Sequence, residues 1–368
     1  MFDRRLISNF DWFLIFMLIV ICAIGMVAMY SATTGDPVML LYRKRQLYWI
    51  LVGFGVILFT ILIDYRFFVS LGYIVHGMVI GLLVLVSMFG TGGPGSPVER
   101  WLAVGPVFIQ PSEFAKFSLV LALAYYFREG RRIGDLRWIN LLWPALLLGV
   151  PFILILRQPD LGTALMLVII FVPIIFVAGI RLSSMFSTLV LSLVCLPIAW
   201  FYVLKPYQKD RVLTFLNPDR DPLGTGYHVI QSKIAVGSGQ FWGKGFGSGT
   251  QGQLNFLPAH HTDFIFSVFS EEWGFVGAVS VLVVFLLFAL WALSNVLKTK
   301  DRISAILTVG IVVIITSQVT INIGMVLGLM PVVGVPLPFF SYGGSSMLSM
   351  MFGVGLLLNI RMRRFQYN

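Results

Sequence analysis

The sequence predicts an all-α polytopic membrane protein with about ten transmembrane helices. Hydrophobic residues make up 58% of its 368 residues and charged residues only 11%, against roughly 25% charged residues in an ordinary soluble domain. The mean hydropathy is +0.91. The apolar residues are gathered into runs long enough to cross about 30 Å of hydrocarbon at 1.5 Å per residue. Composition and run length together exclude a soluble globular protein.

Ten such runs follow one another and predict a single integral membrane domain over residues 1–368. They lie near residues 11–31, 46–63, 69–89, 112–127, 139–157, 160–180, 183–204, 263–297, 303–329 and 341–360. The eighth run is long enough to be tilted or partly extramembrane.

The distribution of lysine and arginine predicts the orientation. An even number of spans puts both termini on one side. If that side is cytoplasmic, the inside segments hold the larger set of cations: Arg4, Arg5, Arg66, Arg128, Arg131, Arg132, Arg137, Arg181, Lys298, Lys300, Arg302, Arg361, Arg363 and Arg364. The short outside loops hold only Arg43, Lys44, Arg45, Arg100 and Arg157. The positive-inside rule therefore predicts cytoplasmic termini and a large extracytoplasmic loop, residues 205–262, between helices 7 and 8.

Several classes of partner and cofactor are disfavoured. The net charge of +10 does not indicate nucleic acid, because the basic residues lie mostly beside hydrophobic segments, where they fix topology and meet anionic headgroups. Cys22 and Cys195 both fall in apolar runs and are typical of small core residues. His260 and His261 are adjacent and point in different directions, so no metal-ligating pair is predicted.

The 205–262 loop is the most polar part of the chain and favours an anionic ligand. It is rich in glycine from Gly237 to Gly252, and its basic and histidine residues are Lys205, Lys209, Arg211, Arg220, Lys233, Lys244, His228, His260 and His261.

Asp263 directly follows this loop and is the strongest catalytic candidate. It is a carboxylate at a boundary between water and lipid, next to flexible backbone and basic residues. The alternative interpretation is an N-cap or first-turn residue of the eighth helix, where a carboxylate suits the positive helix end.

The charged residues elsewhere in the helices offer two interpretations each. Glu113 and Lys116 stand three apart on the fourth helix, so they share a face and can pair; they predict either a structural ion pair or the wall of a ligand cavity. Asp160 is expected to cap the sixth helix, and it could also lean into that cavity. Interhelical hydrogen bonds would account for His76, Gln318 and Asn322.

Motifs around these residues resemble the shape, elongation, division and sporulation (SEDS) family of membrane proteins. The matching segments are residues 221–239, 249–254, Gln110-Pro-Ser-Glu-Phe-Ala-Lys116, Gln158-Pro-Asp-Leu-Gly-Thr163, His261-Thr-Asp-Phe-Ile-Phe-Ser-Val-Phe-Ser-Glu-Glu272, and Asn322 through Pro338 to Ser341-Tyr-Gly-Gly-Ser345. The form of residues 249–254 favours the branch that acts in cell elongation and cell-shape maintenance.

The resemblance implies a peptidoglycan glycosyltransferase that polymerises lipid II on the outer face of the bacterial cytoplasmic membrane. Its implied partners are a class B penicillin-binding protein and other elongation-complex membrane proteins, and the essential aspartate of the family falls on Asp263. The predicted substrate-binding residues are Glu113, Lys116, Arg100, Asp160, Arg211, Lys233, Lys244, His261 and Ser341. No cofactor is certain; a divalent cation, Mg or Mn, could supplement the basic residues that hold the departing pyrophosphate.

Two other functions fit the same features. A lipid II flippase would also use intramembrane charges such as Glu113 and Lys116 and proline-broken segments. A noncatalytic scaffold for the penicillin-binding protein would not need Asp263 for polymerisation.

Overall fold

A computed structural model describes residues 8–33, 39–93, 96–105, 107–128, 138–181, 183–184, 187, 197, 199–217, 220–221, 224–250, 262–298 and 301–364. The described chain is mainly helical. Its helices are α1 (Trp12–Ala32), α2 (Met39–Leu62), α3 (Tyr65–Ser70), α4 (Gly72–Phe89), α5 (Pro111–Tyr126), α6 (Leu142–Arg157), α7 (Leu161–Val177), α8 (Pro206–Leu216), α9 (Thr225–Ser238), α10 (Ile265–Lys298), α11 (Arg302–Val326) and α12 (Gly344–Arg363).

Seven helices in the described part of the chain are long and apolar enough to cross a membrane: α1, α2, α4, α6 with the turn before it, α10, α11 and α12. The runs predicted near 112–127 and 160–180 also form helices, α5 and α7, but these have only 16 and 17 residues. Most of the run predicted near 183–204 lies outside the described residues. A multi-pass helical membrane protein is therefore confirmed, and the count of ten spans stays a prediction.

The expectation of an all-α chain was wrong between α4 and α5. Strands β1 (Thr91–Gly93), β2 (Ser96–Val104) and β3 (Val107–Ile109) form an antiparallel sheet in the order β1-β2-β3. The glycines of residues 91–109 predict a loop, but the valine, tryptophan and phenylalanine residues of the same segment favour strands. Gly105, with φ of 61°, turns β2 into β3, a conformation that glycine adopts without strain.

The centre of the bundle is formed by α5, α11 and α12. In the most apolar stretch of α12, 83% of the residues are buried, whereas the corresponding figure for α2 and α4 is 28%. Small residues allow close helix contacts in this core. A Cβ atom at Gly310 would lie 2.6 Å from Val120, and one at Gly353 would lie 2.4 Å from Phe117.

Three ion pairs gather at one end of the bundle. The pairs are Asp11–Arg361 (2.6 Å), Asp64–Arg363 (3.2 Å) and Arg66–Asp301 (3.1 Å). They join the residue before α1, the turn between α2 and α3, the start of α11 and the end of α12. These four points of the chain therefore lie on the same side.

The described part of the 205–262 segment contains two helices, α8 and α9, where the sequence predicts a glycine-rich loop. Its glycine-rich part, residues 240–245, fits into a break in α10 at Gly274, where φ is 63° and ψ is −162°. Four backbone hydrogen bonds cross the break: Phe275 N to Gln240 O (2.9 Å), Val276 N to Phe241 O (3.2 Å), Lys244 N to Glu271 O (3.1 Å) and Gly245 N to Glu272 O (3.0 Å). The inserted segment thus satisfies backbone groups that an interrupted helix would leave unpaired.

Candidate active site

Asp263 lies in the turn that leads into α10. Its side chain is half-buried, and among the described residues its carboxylate accepts no hydrogen bond. The interpretation of Asp263 as a helix cap would require a hydrogen bond from the first turn of α10, so the geometry does not support it.

The surroundings of Asp263 make it a stronger base than an ordinary aspartate. Burial raises the pKa of the Asp263 carboxyl from 3.8 to about 6, while the charges of Arg100 and Arg211 act to lower it and that of Asp160 to raise it. At neutral pH the group is still mostly ionised. Asp263 can therefore take up a proton and hold it more firmly than a solvated carboxylate would.

Arg100 connects the sheet to the corner between α6 and α7. Its Nε donates to Gln158 O at 3.1 Å, a second nitrogen donates to Pro159 O, and a third lies 3.7 Å from Asp160 Oδ1. Arg100 is one of the two cations whose charge acts on Asp263. These three contacts hold the Arg100 guanidinium in one position relative to Asp263.

Asp160 caps α7, as the sequence predicts. Its carboxylate accepts from Thr163 N at 3.2 Å and from Thr163 Oγ1 at 2.9 Å. It also pairs with Arg100 and influences the pKa of Asp263. The two interpretations of Asp160 are thus compatible. The same carboxylate caps α7 and, by its negative charge, raises the pKa of Asp263.

The proline-rich loop, residues 331–338, forms a wall beside Asp263. At Gly334, where φ is 71°, a Cβ atom would lie 3.4 Å from Asp263 Oδ2. Ser341 holds the end of this loop, because its hydroxyl accepts from Leu337 N at 2.9 Å and its carbonyl accepts from Gln46 Nε2 at 3.0 Å. Ser341 is buried, so its described role is within the chain.

Arg211 and Lys233 differ in their relation to Asp263. Arg211, on α8, is half-buried and acts on the Asp263 carboxyl by its charge. Lys233, on α9, is exposed and packs against Gly328 at the end of α11. Arg211 is therefore associated with the Asp263 site through its charge, and among the described residues Lys233 shows no such influence on Asp263.

Glu113 and Lys116 form the ion pair that their spacing predicts. Lys116 Nζ lies 2.9 Å from Glu113 Oε1, and neither residue is exposed by more than 3%. Within the described residues, Glu113 Oε2 has no hydrogen-bond partner. The predicted ion pair is therefore present, and in this conformation Lys116 is enclosed by protein.

Lys244 belongs to a second cluster, at the break in α10. Its Nζ lies 2.6 Å from Glu271 Oε1, which also accepts from Thr250 N at 2.8 Å and from Thr250 Oγ1 at 2.9 Å. Glu271 is fully buried. This cluster fastens the glycine-rich segment to α10.

The remaining predictions are untested. His261 lies outside the described residues. The described residues contain no group of three or more His, Cys, Asp or Glu side chains that could hold a metal ion, and the divalent cation stays a prediction. The same holds for substrate binding by the nine predicted residues.

Sequence reasoning missed two residues that organise the site region. The sequence assigns no separate role to Glu271, whereas in the structure it pairs with Lys244 and accepts hydrogen bonds from Thr250. Asn322 was expected to bond between helices, whereas its Nδ2 donates to Asp263 O at 2.9 Å and to Val335 O at 2.8 Å. The primary amide of Asn322 inside an apolar helix indicates a buried hydrogen bond, but the sequence does not identify the two carbonyl groups that accept it. His76 does bond between helices as expected, to Ser118 at 3.1 Å and Leu147 O at 3.0 Å.

Fold and site together define a multi-pass helical membrane protein in which Asp263, at one end of the bundle, lies under the influence of Arg100, Arg211 and Asp160. The chain belongs to the FTSW_RODA_SPOVE family of cell cycle proteins, which matches residues 11–366. The resemblance seen in the motifs is therefore confirmed.

Individual relatives agree with this membership. The peptidoglycan glycosyltransferase MrdB of Escherichia coli (strain K12) is 40% identical over 283 residues, which cover 77% of this chain and 75% of MrdB. A solved structure described as "Structural coordination of polymerization and crosslinking by a peptidoglycan synthase complex" matches with a TM-score of 0.82 and 36% identity, over 97% of this chain and 99% of the other. The rod shape determining protein RodA of Thermus thermophilus matches with a TM-score of 0.71 and 30% identity, over 97% and 98% of the two chains.

Proposed function

We infer that this chain is a peptidoglycan glycosyltransferase that polymerises lipid II into β-1,4 glycan strands during cell elongation and cell-shape maintenance. Its relatives bear the names of peptidoglycan glycosyltransferases. The observation that carries the mechanism is Asp263, a carboxylate with no hydrogen-bond donor among the described residues and with a pKa of about 6.

The site faces the extracytoplasmic side, and the chain crosses the membrane ten times with both termini in the cytoplasm. The excess of lysine and arginine near the termini supports this orientation. So do the three ion pairs that bring Asp11, the turn after α2, the start of α11 and the end of α12 to one side. Asp263 then belongs to the opposite, outer side, where its substrate would be presented.

The reaction is a single inverting displacement. The donor is an α-linked sugar on polyprenyl pyrophosphate, and the product linkage is β, so one displacement inverts the anomeric carbon. The acceptor GlcNAc 4-hydroxyl attacks that carbon, the bond from carbon to pyrophosphate oxygen breaks, and the hydroxyl proton passes to Asp263. One base is sufficient here, in contrast to the paired carboxylates of retaining glycosidases. Such general-base assistance contributes about 10² to 10⁴ in rate.

Undecaprenyl pyrophosphate leaves as an anion and needs no proton if cations stabilise its charge. Arg100 and Arg211 are the best-supported cations, because both act electrostatically on Asp263. Lys116 and Lys244 are each paired with a buried glutamate and would have to leave those partners to reach a phosphate.

The partner is a class B penicillin-binding protein that crosslinks the strands. The structural similarity to a protein in a peptidoglycan synthase complex supports this assignment. In the proposed complex this chain polymerises the strands and the penicillin-binding protein crosslinks them. Other membrane proteins of the elongation machinery complete the assembly.

The test is lipid II polymerisation by the purified complex, with the partner blocked in transpeptidation and no other glycosyltransferase present. Asp263→Ala should yield no glycan. The matched control is Asp301→Ala, since Asp301 is also a carboxylate before a helix but lies at the other end of the bundle, where it caps α11 and pairs with Arg66. That variant should polymerise once its folded fraction is taken into account.

The alternatives make different predictions. A noncatalytic scaffold predicts equal product from wild type and Asp263→Ala. A flippase predicts no glycan from either protein and transfer of labelled lipid II between the leaflets of a vesicle.

A further inference from the structure

Asn322 links the Asp263 turn to the proline-rich loop. It lies near the outer end of α11 and is fully buried. Its Nδ2 donates at 2.9 Å to Asp263 O and at 2.8 Å to Val335 O. One amide group therefore joins two irregular segments to a rigid helix.

Both segments need such a support. The 331–338 loop can donate few backbone hydrogen bonds, because Pro331, Pro336 and Pro338 have no N–H group. At Gly334 this loop approaches Asp263 Oδ2, with 3.4 Å between that oxygen and a Cβ position. On its other side the loop packs against Gly162, where a Cβ would lie 3.0 Å from Val333 O. A shift of the loop would therefore move the wall beside the carboxylate.

Asparagine is chemically suited to this position. A primary amide nitrogen has two hydrogens, and both are used, one for each carbonyl. An aspartate at residue 322 would have the same shape but would turn an acceptor towards two carbonyl oxygens. Among the described residues, Asn322 Oδ1 has no hydrogen-bond partner, so the donor side of the amide makes the described connections.

We propose that Asn322 is a positioning residue, which fixes the Asp263 carboxylate against the turn at Gly334 so that it meets the acceptor hydroxyl. This inference rests on the proposed function, in which Asp263 is the base. A catalytic group displaced by 1 Å can lose about 10²-fold in rate. Loss of Asn322 should therefore reduce kcat with little change in KM, because the substitution displaces the base and leaves the contacts that hold Arg100 in place.

The pH dependence should change as well. Asp263 is surrounded by Arg100 from β2, Arg211 from α8 and Asp160 from the start of α7, and burial is the strongest influence on its pKa. A turn that is no longer held by Asn322 admits water to the carboxylate. The pKa of Asp263 should then fall towards its ordinary value, and the acid limb of the rate profile should move to lower pH.

The test compares Asn322→Leu with Gln318→Leu. Both replace a buried amide on α11 with a side chain that cannot donate a hydrogen bond, but neither amide atom of Gln318 has a hydrogen-bond partner among the described residues. Purified complexes of each variant are assayed for kcat, KM for lipid II, the midpoint of the acid limb, thermal unfolding and partner binding.

We expect Asn322→Leu to lower kcat by about 10- to 100-fold with KM changed less than about threefold, and to move the acid midpoint down, while Gln318→Leu keeps the wild-type midpoint. The proposal is overturned if Asn322→Leu lowers the rate only in proportion to its folded fraction and keeps the wild-type midpoint. It is also overturned if Gln318→Leu shifts the midpoint equally. Asp263→Asn in the same assay tests the base itself: if that variant polymerises normally, the proposed function fails, whatever Asn322 does.

Discussion

Replacing Asp263 with asparagine should remove activity and raise stability at the same time. The amide has nearly the shape of the carboxylate but is neutral and cannot act as a base. Polymerisation should fall by about 10² to 10⁴. The gain in stability comes from the cost of keeping a charged carboxylate partly buried.

That cost follows from the pKa of Asp263. The difference between 3.8 and about 6 corresponds to about 3 kcal/mol, at 1.36 kcal/mol per pKa unit. Because the side chain keeps part of its surface exposed, water screens the charge and about 3 kcal/mol is an upper bound. A folded-state pKa above the unfolded one means that ionisation opposes folding. The full cost is present above pH 6 and disappears as the pH falls below the ordinary pKa of aspartate.

The assay is thermal unfolding of the detergent-purified protein from pH 4 to 8, beside lipid II polymerisation. Asp263→Asn should unfold at a higher temperature than wild type at pH 7 to 8, and this advantage should vanish near pH 4. Asp160→Asn is the matched control, because Asp160 caps α7 and pairs with Arg100, so the same chemical change should lower stability. An Asp263→Asn protein that is less stable at every pH would refute the reasoning.

Three further predictions follow from the same contacts. The wild-type polymerisation rate should be flat above the Asp263 pKa of about 6 and fall about tenfold per pH unit below it; a constant rate down to pH 4 would contradict the base assignment. Lys116→Met should cost about 3 to 5 kcal/mol by leaving Glu113 buried and unpaired, and adding Glu113→Gln should recover part of the unfolding temperature; a double variant less stable than the single would disprove this. Gly274→Ala, at φ of 63° and with its Cβ only 2.3 Å from Gly243 N, should cost at least about 1 to 3 kcal/mol, whereas Gly81→Ala, with no atom within 4 Å, should unfold like wild type.

The sequence predicted the helices well because the bilayer imposes a simple rule. A span must be continuous, apolar and about 20 residues long, and the first, fifth and ninth predicted runs coincide with helices to within a few residues. It failed for the sheet between α4 and α5, which lies outside this rule. There Gly92 and Gly93 suggest a loop, but in the structure Trp101 pairs with Thr91 across two strands.

Local spacing also predicted the contacts that depend on one element only. Glu113 and Lys116 stand three apart on a helix and form the ion pair, and Asp160 caps the helix that it precedes. What spacing left open was the role of each charge. The structure shows that Lys116 is buried and that Asp160 lies beside Arg100. Neither fact follows from spacing, because both depend on how the whole bundle packs.

The sequence by itself determined the class of membrane protein and the family motifs, and it predicted the catalytic role of Asp263. Only the tertiary structure decided that Asn322 supports the Asp263 turn, and that Lys244 and Glu271 close the break in α10. The physical reason is the same in both cases. Most buried polar groups form a hydrogen bond, and the sequence shows that Asn322 and Glu271 are polar residues in apolar helices. The identity of each partner depends on which distant segments the fold brings within about 3 Å.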